Sequence, residues 1–292
     1  MSVIDAHQHI WDLSASPYPW LTGLAPIDRT LTMADIAPAL ARNGVDGVIL
    51  VQSDDTPADT DLMLAAAAAD ARVAGVVAYA PLHAGEAVRE DVSRLRQNPL
   101  VVGVRTLIHA QPDPGWAVRA DYLAGLGELA RADLAWDMVG VLPDHLDQAV
   151  VIADRYPHLR VVLDHLGHPP VGGEARMPWW DQIARVAERP NVAAKLSGLY
   201  ATVGSLDSWT IDDVRPFVDR ALEVFGPDRL MFGGDWPIVD LAGGYDRVAA
   251  AVRELCGGLS AAEQAEVFGG TARRIYRLDR PESARIAHRS HV

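Results

Sequence analysis

Two imidazoles two residues apart, His7 and His9, stand near the start of the chain in the run Val3-Ile4-Asp5-Ala6-His7-Gln8-His9-Ile10-Trp11. Side chains alternate along an extended strand, so the spacing predicts Asp5, His7 and His9 on one face and Ile4, Ala6, Gln8 and Ile10 on the other. Two neutral ring nitrogens side by side offer a divalent metal a pair of ligands, although the same pair also suits two interior histidines with satisfied hydrogen bonds. Far along the chain, Gly233-Gly234-Asp235-Trp236-Pro237 supplies a carboxylate just before a proline that cannot continue a strand ladder. His165, Arg105 and Lys195 sit at the ends of other apolar runs. Gathered at one mouth, His7, His9, His165 and Asp235 would hold zinc or a similar ion. Without a metal, the same groups suit Asp235 as a general base among hydrogen-bonding histidines.

Such a gathering needs a scaffold that brings distant segments to one rim. Apolar, β-branched runs read as buried strands at 45–52, 73–82, 101–108, 134–142, 159–165, 192–197 and 229–235, after the first stretch at 3–11. Helical spacing falls between them at 32–43, 60–71, 86–97, 120–132, 144–155, 179–188 and 211–225, with Asp144 read as a cap. Two more helices follow at 245–256 and from the capping-box signature Ser260-Ala261-Ala262-Glu263 through Tyr276, where Gly269-Gly270 would allow close packing on the sheet. Strand and helix alternating in this way predict a single-domain α/β chain folded as a parallel (β/α)8 TIM barrel over 1–278. No Gly-x-Gly-x-x-Gly follows the first strand, which weighs against a dinucleotide-binding sheet. The loop 12–30 carries Tyr18 and Trp20, which with Trp11 would wall a pocket or cover the barrel rim. The stretch 279–292 is polar and aperiodic and reads as a tail, with His288 and His291 exposed; His83 and His109 read as loop histidines.

Composition narrows the partners. A net charge of −13 argues against nucleic acid or an acidic membrane surface, because polyanions need a basic face. A single cysteine, Cys256, excludes an internal disulfide, and no apolar run reaches the roughly 20 residues of a membrane helix. No signal-like start is read, so the expectation is a cytoplasmic protein acting on a small molecule, with oligomeric state open and a homodimer unremarkable.

The chain resembles the amidohydrolase superfamily and, within it, the sugar-lactone hydrolases that include fuconolactone and rhamnonolactone hydrolases. The likeness is carried by Asp5-Ala6-His7-Gln8-His9-Ile10-Trp11, Gly103-Val104-Arg105, Leu163-Asp164-His165-Leu166-Gly167, Lys195-Leu196-Ser197-Gly198, Met231-Phe232-Gly233-Gly234-Asp235-Trp236-Pro237 and Gly269-Gly270-Thr271-Ala272-Arg273-Arg274-Ile275-Tyr276. It implies hydrolysis of a cyclic sugar ester. His7, His9, His165 and Asp235 would hold one divalent ion, zinc first, or polarise the carbonyl, with Asp235 as base and His165 also catalytic. Arg105, Lys195, Trp11 and Trp236 would contact substrate; an interior ion pair is the other reading of Arg105 and of Lys195. Arg105 stands where two-metal members place a bridging lysine or glutamate, and Leu134-Ala135-Trp136-Asp137-Met138 has no histidine where many have a ligand. At most one metal is therefore implied, and metal-independent lactonases in neighbouring families leave even that open. The same fold and end motifs also serve metal-dependent decarboxylases of unsaturated or aromatic acids, which Arg105 and the tryptophan-rich loop would suit. A non-enzymatic binding barrel would leave the polar strand ends coincidental.

Overall fold

A computed structural model describes residues 2–173, 175–202 and 205–279. Short runs of valine, isoleucine, leucine and alanine form eight strands: β1 (Val3–Gln8), β2 (Val45–Val51), β3 (Val73–Tyr79), β4 (Val101–Thr106), β5 (Ala135–Met138), β6 (Val161–Leu163), β7 (Val192–Leu196) and β8 (Leu230–Phe232). Each pairs in parallel with the next in chain order. Between and after them run α1 (Met33–Arg42), α2 (Pro57–Ala69), α3 (Arg89–Gln97), α4 (Ala120–Ala132), α5 (Pro143–Arg155), α6 (Trp179–Ala187), α7 (Ile211–Phe225), α8 (Tyr245–Leu255), α9 (Ala261–Ala265) and α10 (Thr271–Tyr276). The architecture is the expected (β/α)8 barrel.

Strands β8 and β1 meet just past the end of β8. Gln8 bridges Trp236, the Asp235 N–H donates to the His7 carbonyl at 2.8 Å, and the His9 N–H donates to the Trp236 carbonyl at 2.7 Å. Lower down, the Asp5 carboxylate replaces the missing ladder, accepting from the N–H groups of His7 at 3.0 Å and Gly234 at 2.8 Å. Gly233 and Gly234 permit this approach: a Cβ at Gly233 would stand 2.8 Å from that of His7, and one at Gly234 2.5 Å from Asp5 Oδ2.

One buried apolar cluster draws on all eight strands: Ile4 and Ala6, Ile49 and Val51, Val77, Val102, Ala135, Val162, Ala193 and Met231. Only the barrel interior is touched by every strand. The lining is closed by Ala272, Tyr276 and Leu278 from the C-terminal segment. This corrects the predicted facing of β1. Ile4 and Ala6 point inward, whereas Asp5 turns out to meet the Tyr245 hydroxyl of α8 at 2.7 Å. His7 nevertheless enters the interior because β1 gains a residue on β2 between Asp5 and Gln8, which pair with Val48 and Leu50. Such a bulge reverses the parity of every side chain beyond it.

Several strands end sooner than their apolar runs, at Thr106, Met138, Leu163 and Phe232, because the chain turns at the rim. Helix α2 starts at Pro57, capped by the Thr56 side chain, and residues 82–88 form a tighter turn ahead of α3. Pro143 opens α5, which places Asp144 inside its first turn and not at the cap. The last predicted helix is three pieces, α9, a wide turn over residues 266–270, and α10. Gly269 lies so close to the Ser2 carbonyl that no Cβ fits, as the Gly-Gly pair suggested. Of the polar tail, Asp279 pairs with Arg273 at 2.9 Å; residues 280–292, His288 and His291 among them, lie outside those described. Among the described residues no helix is long and apolar enough to cross a membrane.

Candidate active site

Three acceptor atoms converge where the barrel seam meets its rim. His7 Nε2 lies 3.1 Å from His9 Nε2, and Asp235 Oδ1 lies 3.6 Å from the first and 3.5 Å from the second. All three residues are buried. The His9 ring donates from Nδ1 to the Val51 carbonyl at 2.7 Å, which leaves its Nε2 as a lone pair. Arg105 Nη1, which can only donate, approaches His7 Nε2 at 3.4 Å and favours a lone pair there too. The other Asp235 oxygen accepts the Tyr200 hydroxyl at 2.8 Å. Donors bound about 2.0–2.1 Å from a tetrahedral zinc stand about 3.3–3.4 Å apart. Two imidazole nitrogens and a carboxylate oxygen at these separations fit such an ion in both spacing and chemistry.

Burial drives the His7 pKa well below that of a free imidazole, and the nearby Lys195 pushes the same way, so the ring is neutral as a ligand must be. Burial also raises Asp235, but His165, His9 and His7 outweigh it and hold the acid below the usual carboxylate range. Asp235 itself has φ of 54°, a left-handed backbone that an L side chain rarely adopts.

A second irregular turn follows β6. His165, Leu166, Gly167 and His168 all take positive φ, which swings His165 in towards His7, ring centroids 4.5 Å apart. The His165 Nδ1 meets the Ser197 hydroxyl at 2.8 Å, and burial lowers its pKa. Gly198 across the gap must lack a side chain, since a Cβ would sit 2.5 Å from that nitrogen. His165 falls into a different donor group from the seam triangle, with His7 and Asp164. The four ligands expected from the sequence are neighbours, but they do not form one set.

Beneath the rim lies a charged layer inside the barrel. Lys195 is fully buried, its Nζ 2.5 Å from Asp137, 3.0 Å from Asp164 and 3.1 Å from His7 Nδ1. Arg105 pairs with Asp164 at 3.0 Å and donates to the Gln52 carbonyl, while its Nε has no partner among the described residues. Burial pushes Asp137 up to about 6 against the pull of Lys195. For Asp164 burial acts the same way but loses to Lys195, His7 and Arg105, which hold it well below the usual range. Both arginine and lysine thus make interior ion pairs. Trp11 is buried with its indole N–H on the Ile27 and Arg29 carbonyls, and Trp20 packs edge-on against it at 5.3 Å. Trp236 is buried and donates to Asp240 at 3.1 Å.

Asp137, Asp164 and Tyr200 were not singled out from the sequence. Asp137 and Asp164 lie two positions after the interior residues Ala135 and Val162, so an aspartate at inward parity in an apolar strand was the available signal. Tyr200 had no such signal. His109, read as a loop histidine, lies on the short turn Ile108–Ala110 that follows β4.

The sequence profile of the family described as Amidohydrolase matches residues 4–278. The chain belongs to the amidohydrolase family. It is 35% identical over 283 residues to an L-fucono-1,5-lactonase from Burkholderia ambifaria, an alignment that spans 95% of this chain and 96% of the relative. A second L-fucono-1,5-lactonase, from Burkholderia multivorans, is 33% identical over 294 residues, 97% of this chain and 98% of the relative. A crystal structure of an amidohydrolase from Burkholderia multivorans with bound zinc superposes with a TM-score of 0.87 at 32% identity, covering 95% of this chain and 99% of that one. Hydrolase chemistry and a zinc-compatible site accord with these likenesses.

Proposed function

We propose that the chain hydrolyses a small sugar lactone by attack of water on the ring ester. The observation that carries this reading is the convergence of His7 Nε2, His9 Nε2 and Asp235 Oδ1 at the rim. Full-length similarity to L-fucono-1,5-lactonases supports the substrate class. A single divalent ion, zinc first, would be held by His7 and His9 with Asp235 as third donor, and when bound would supply positive charge to the ester carbonyl and to water.

Tyr200 occupies Asp235 Oδ2, so Oδ1 is the oxygen that faces the histidines and the reacting water. An acid held below the usual range remains ionised at neutral pH and can take the water proton, then return it to the departing ring oxygen. His165, turned towards His7 and anchored on Ser197, donates hydrogen bonds to substrate oxygen. Arg105 points its Nη1 at the same rim and contacts the lactone carbonyl or a hydroxyl, with Trp11 and Trp236 backing the walls. Lys195 is already surrounded by Asp137, Asp164 and His7 and serves the electrostatics of His7 in place of a substrate contact.

A panel of aldonolactones in a pH-indicator assay tests the reading. Asp235→Asn should lower turnover by about 10²–10⁴-fold with the fold retained. Activity within a factor of a few of the parent removes Asp235 from the role of base. Elemental analysis of protein treated with chelator, beside its activity, decides whether the ion is required.

A further inference from the structure

The turn after β6 carries two histidines, and the site described above uses one of them. His165, Leu166, Gly167 and His168 take successive left-handed backbones, a conformation that L side chains rarely adopt and that collects at ligand-holding turns. The turn is clamped in place. The His168 N–H donates to the His165 carbonyl at 2.9 Å, the Trp179 indole N–H donates to the Leu166 carbonyl at 2.8 Å, and Leu146 packs where a Cβ on Gly167 would stand. It therefore fixes the His168 ring beside that of His165, centroids 5.0 Å apart, and within electrostatic reach of Asp235.

Its neighbours among the histidines are tied to the chain. His9 Nδ1 donates to the Val51 carbonyl, His145 Nδ1 accepts from the N–H groups of Val141 and Leu142, and His165 Nδ1 meets the Ser197 hydroxyl. His168 is different. It is half-buried, its Nδ1 is shut from water, and neither ring nitrogen has a hydrogen-bond partner among the described residues. Interior polar atoms are nearly always paired, so an unpaired one beside a reaction site points to a ligand. A metal ion is a poor fit. Among the described residues the donor groups close enough to hold one are His7-Asp164-His165 and His7-His9-Asp235, and neither includes His168. A sugar hydroxyl suits the ring better, since it both donates and accepts and so serves whichever nitrogen carries the proton. Packing holds the ring in place of a hydrogen bond, so either edge can turn to meet it. We propose that His168 is a specificity-determining residue that binds a hydroxyl of the lactone next to the oxygen engaged by His165. The proposal rests on the lactone reading and deepens it, because it makes the site select a hydroxylated ring over the bare cyclic ester.

A pair of lactones tests this: the 1,5-aldonolactone turned over fastest in the panel, and δ-valerolactone, which has the same ring ester and no hydroxyl. His168→Phe keeps a flat ring and removes both nitrogens. It should lower kcat/KM for the aldonolactone about 3–10-fold, chiefly through KM, and change that for δ-valerolactone by less than about twofold. His168→Gly, which the left-handed backbone accepts without strain, carries the same test should the phenylalanine variant fail to fold. Equal losses on both lactones overturn the proposal and make His168 a support of the turn; no loss on either overturns it as well. If the parent opens no lactone, the proposed activity fails separately. In that case, or where δ-valerolactone alone resists, calorimetric titration with the matching lactams decides. Aldonolactam bound about 3–10-fold more weakly by the variants, with δ-valerolactam unaffected, sustains the hydroxyl contact. Aldonolactam bound equally by parent and variants, or not bound by the parent, overturns it.

Discussion

Replacing Lys195 by methionine probes the charged layer most directly. The substitution keeps a long, unbranched side chain and removes only the ammonium. In the parent that ammonium, fully buried, lies 2.5 Å from Asp137 and 3.0 Å from Asp164. Without it, Asp164 retains Arg105 at 3.0 Å, but among the described residues Asp137 retains only the Tyr276 hydroxyl. Breaking a buried pair from one side typically costs about 3–5 kcal/mol, because the remaining charge is left unmatched. At about 2.1 cal/mol/K per residue of unfolding entropy, a chain of this length should lose about 5–8 °C in thermal midpoint. Calorimetry of Lys195→Met beside the parent measures the drop. The double variant Lys195→Met/Asp137→Asn removes the orphaned charge as well and should regain at least about 2 kcal/mol of the loss. A single variant within about 1 kcal/mol of the parent, or a double variant no more stable than the single, would refute the account of Lys195 as the counterion of this layer.

Tyr200→Phe should lower kcat about 10–100-fold, since a hydrogen bond to a charged group is worth about 1.5–3 kcal/mol; stopped-flow lactone hydrolysis with a parent-like melting curve checks it, and unchanged kcat removes Tyr200 from the support of Asp235. The capping acids give a pH prediction. The Thr210 hydroxyl and N–H hold Asp213 below its usual value, and Ser260 does the same for Glu263. A depressed folded pKa means stability that is present at neutral pH and lost as the pH falls through the acid range. Melting curves of Asp213→Asn should therefore fall below the parent at pH 7 and converge with it near the bottom of that range; a constant gap would contradict the linkage.

What the sequence revealed follows the range of the forces involved. The H-x-H pair and Asp235 are legible because polar groups at the ends of apolar strands stand out locally, and the barrel is legible because its alternation repeats. The facing of β1 is not, since one extra residue between Asp5 and Gln8 reverses parity and leaves no mark in the composition. Asp137 and Asp164 are hidden for a related reason: an apolar run with one acid reads as a strand end, and only the closed barrel makes that acid face Lys195. Tyr276 was visible only as part of a helix, because its partner Asp137 lies 139 positions away. The Thr56-Pro57 start of α2 was a readable local signal that the alanine-rich run obscured.

The seam imposes an order on biosynthesis. Asp5 and Gly234, which clasp one another beneath the site, are separated by 229 positions. At about 5–20 residues per second, a ribosome needs about 10–45 s to make the second after the first. Through most of that interval His7 and His9 lack the Asp235 carboxylate, so the three-donor set of the seam cannot assemble before nearly the whole barrel is made. Nascent chains stalled before Gly233 should accordingly carry no catalytic activity, whatever strands they have already formed.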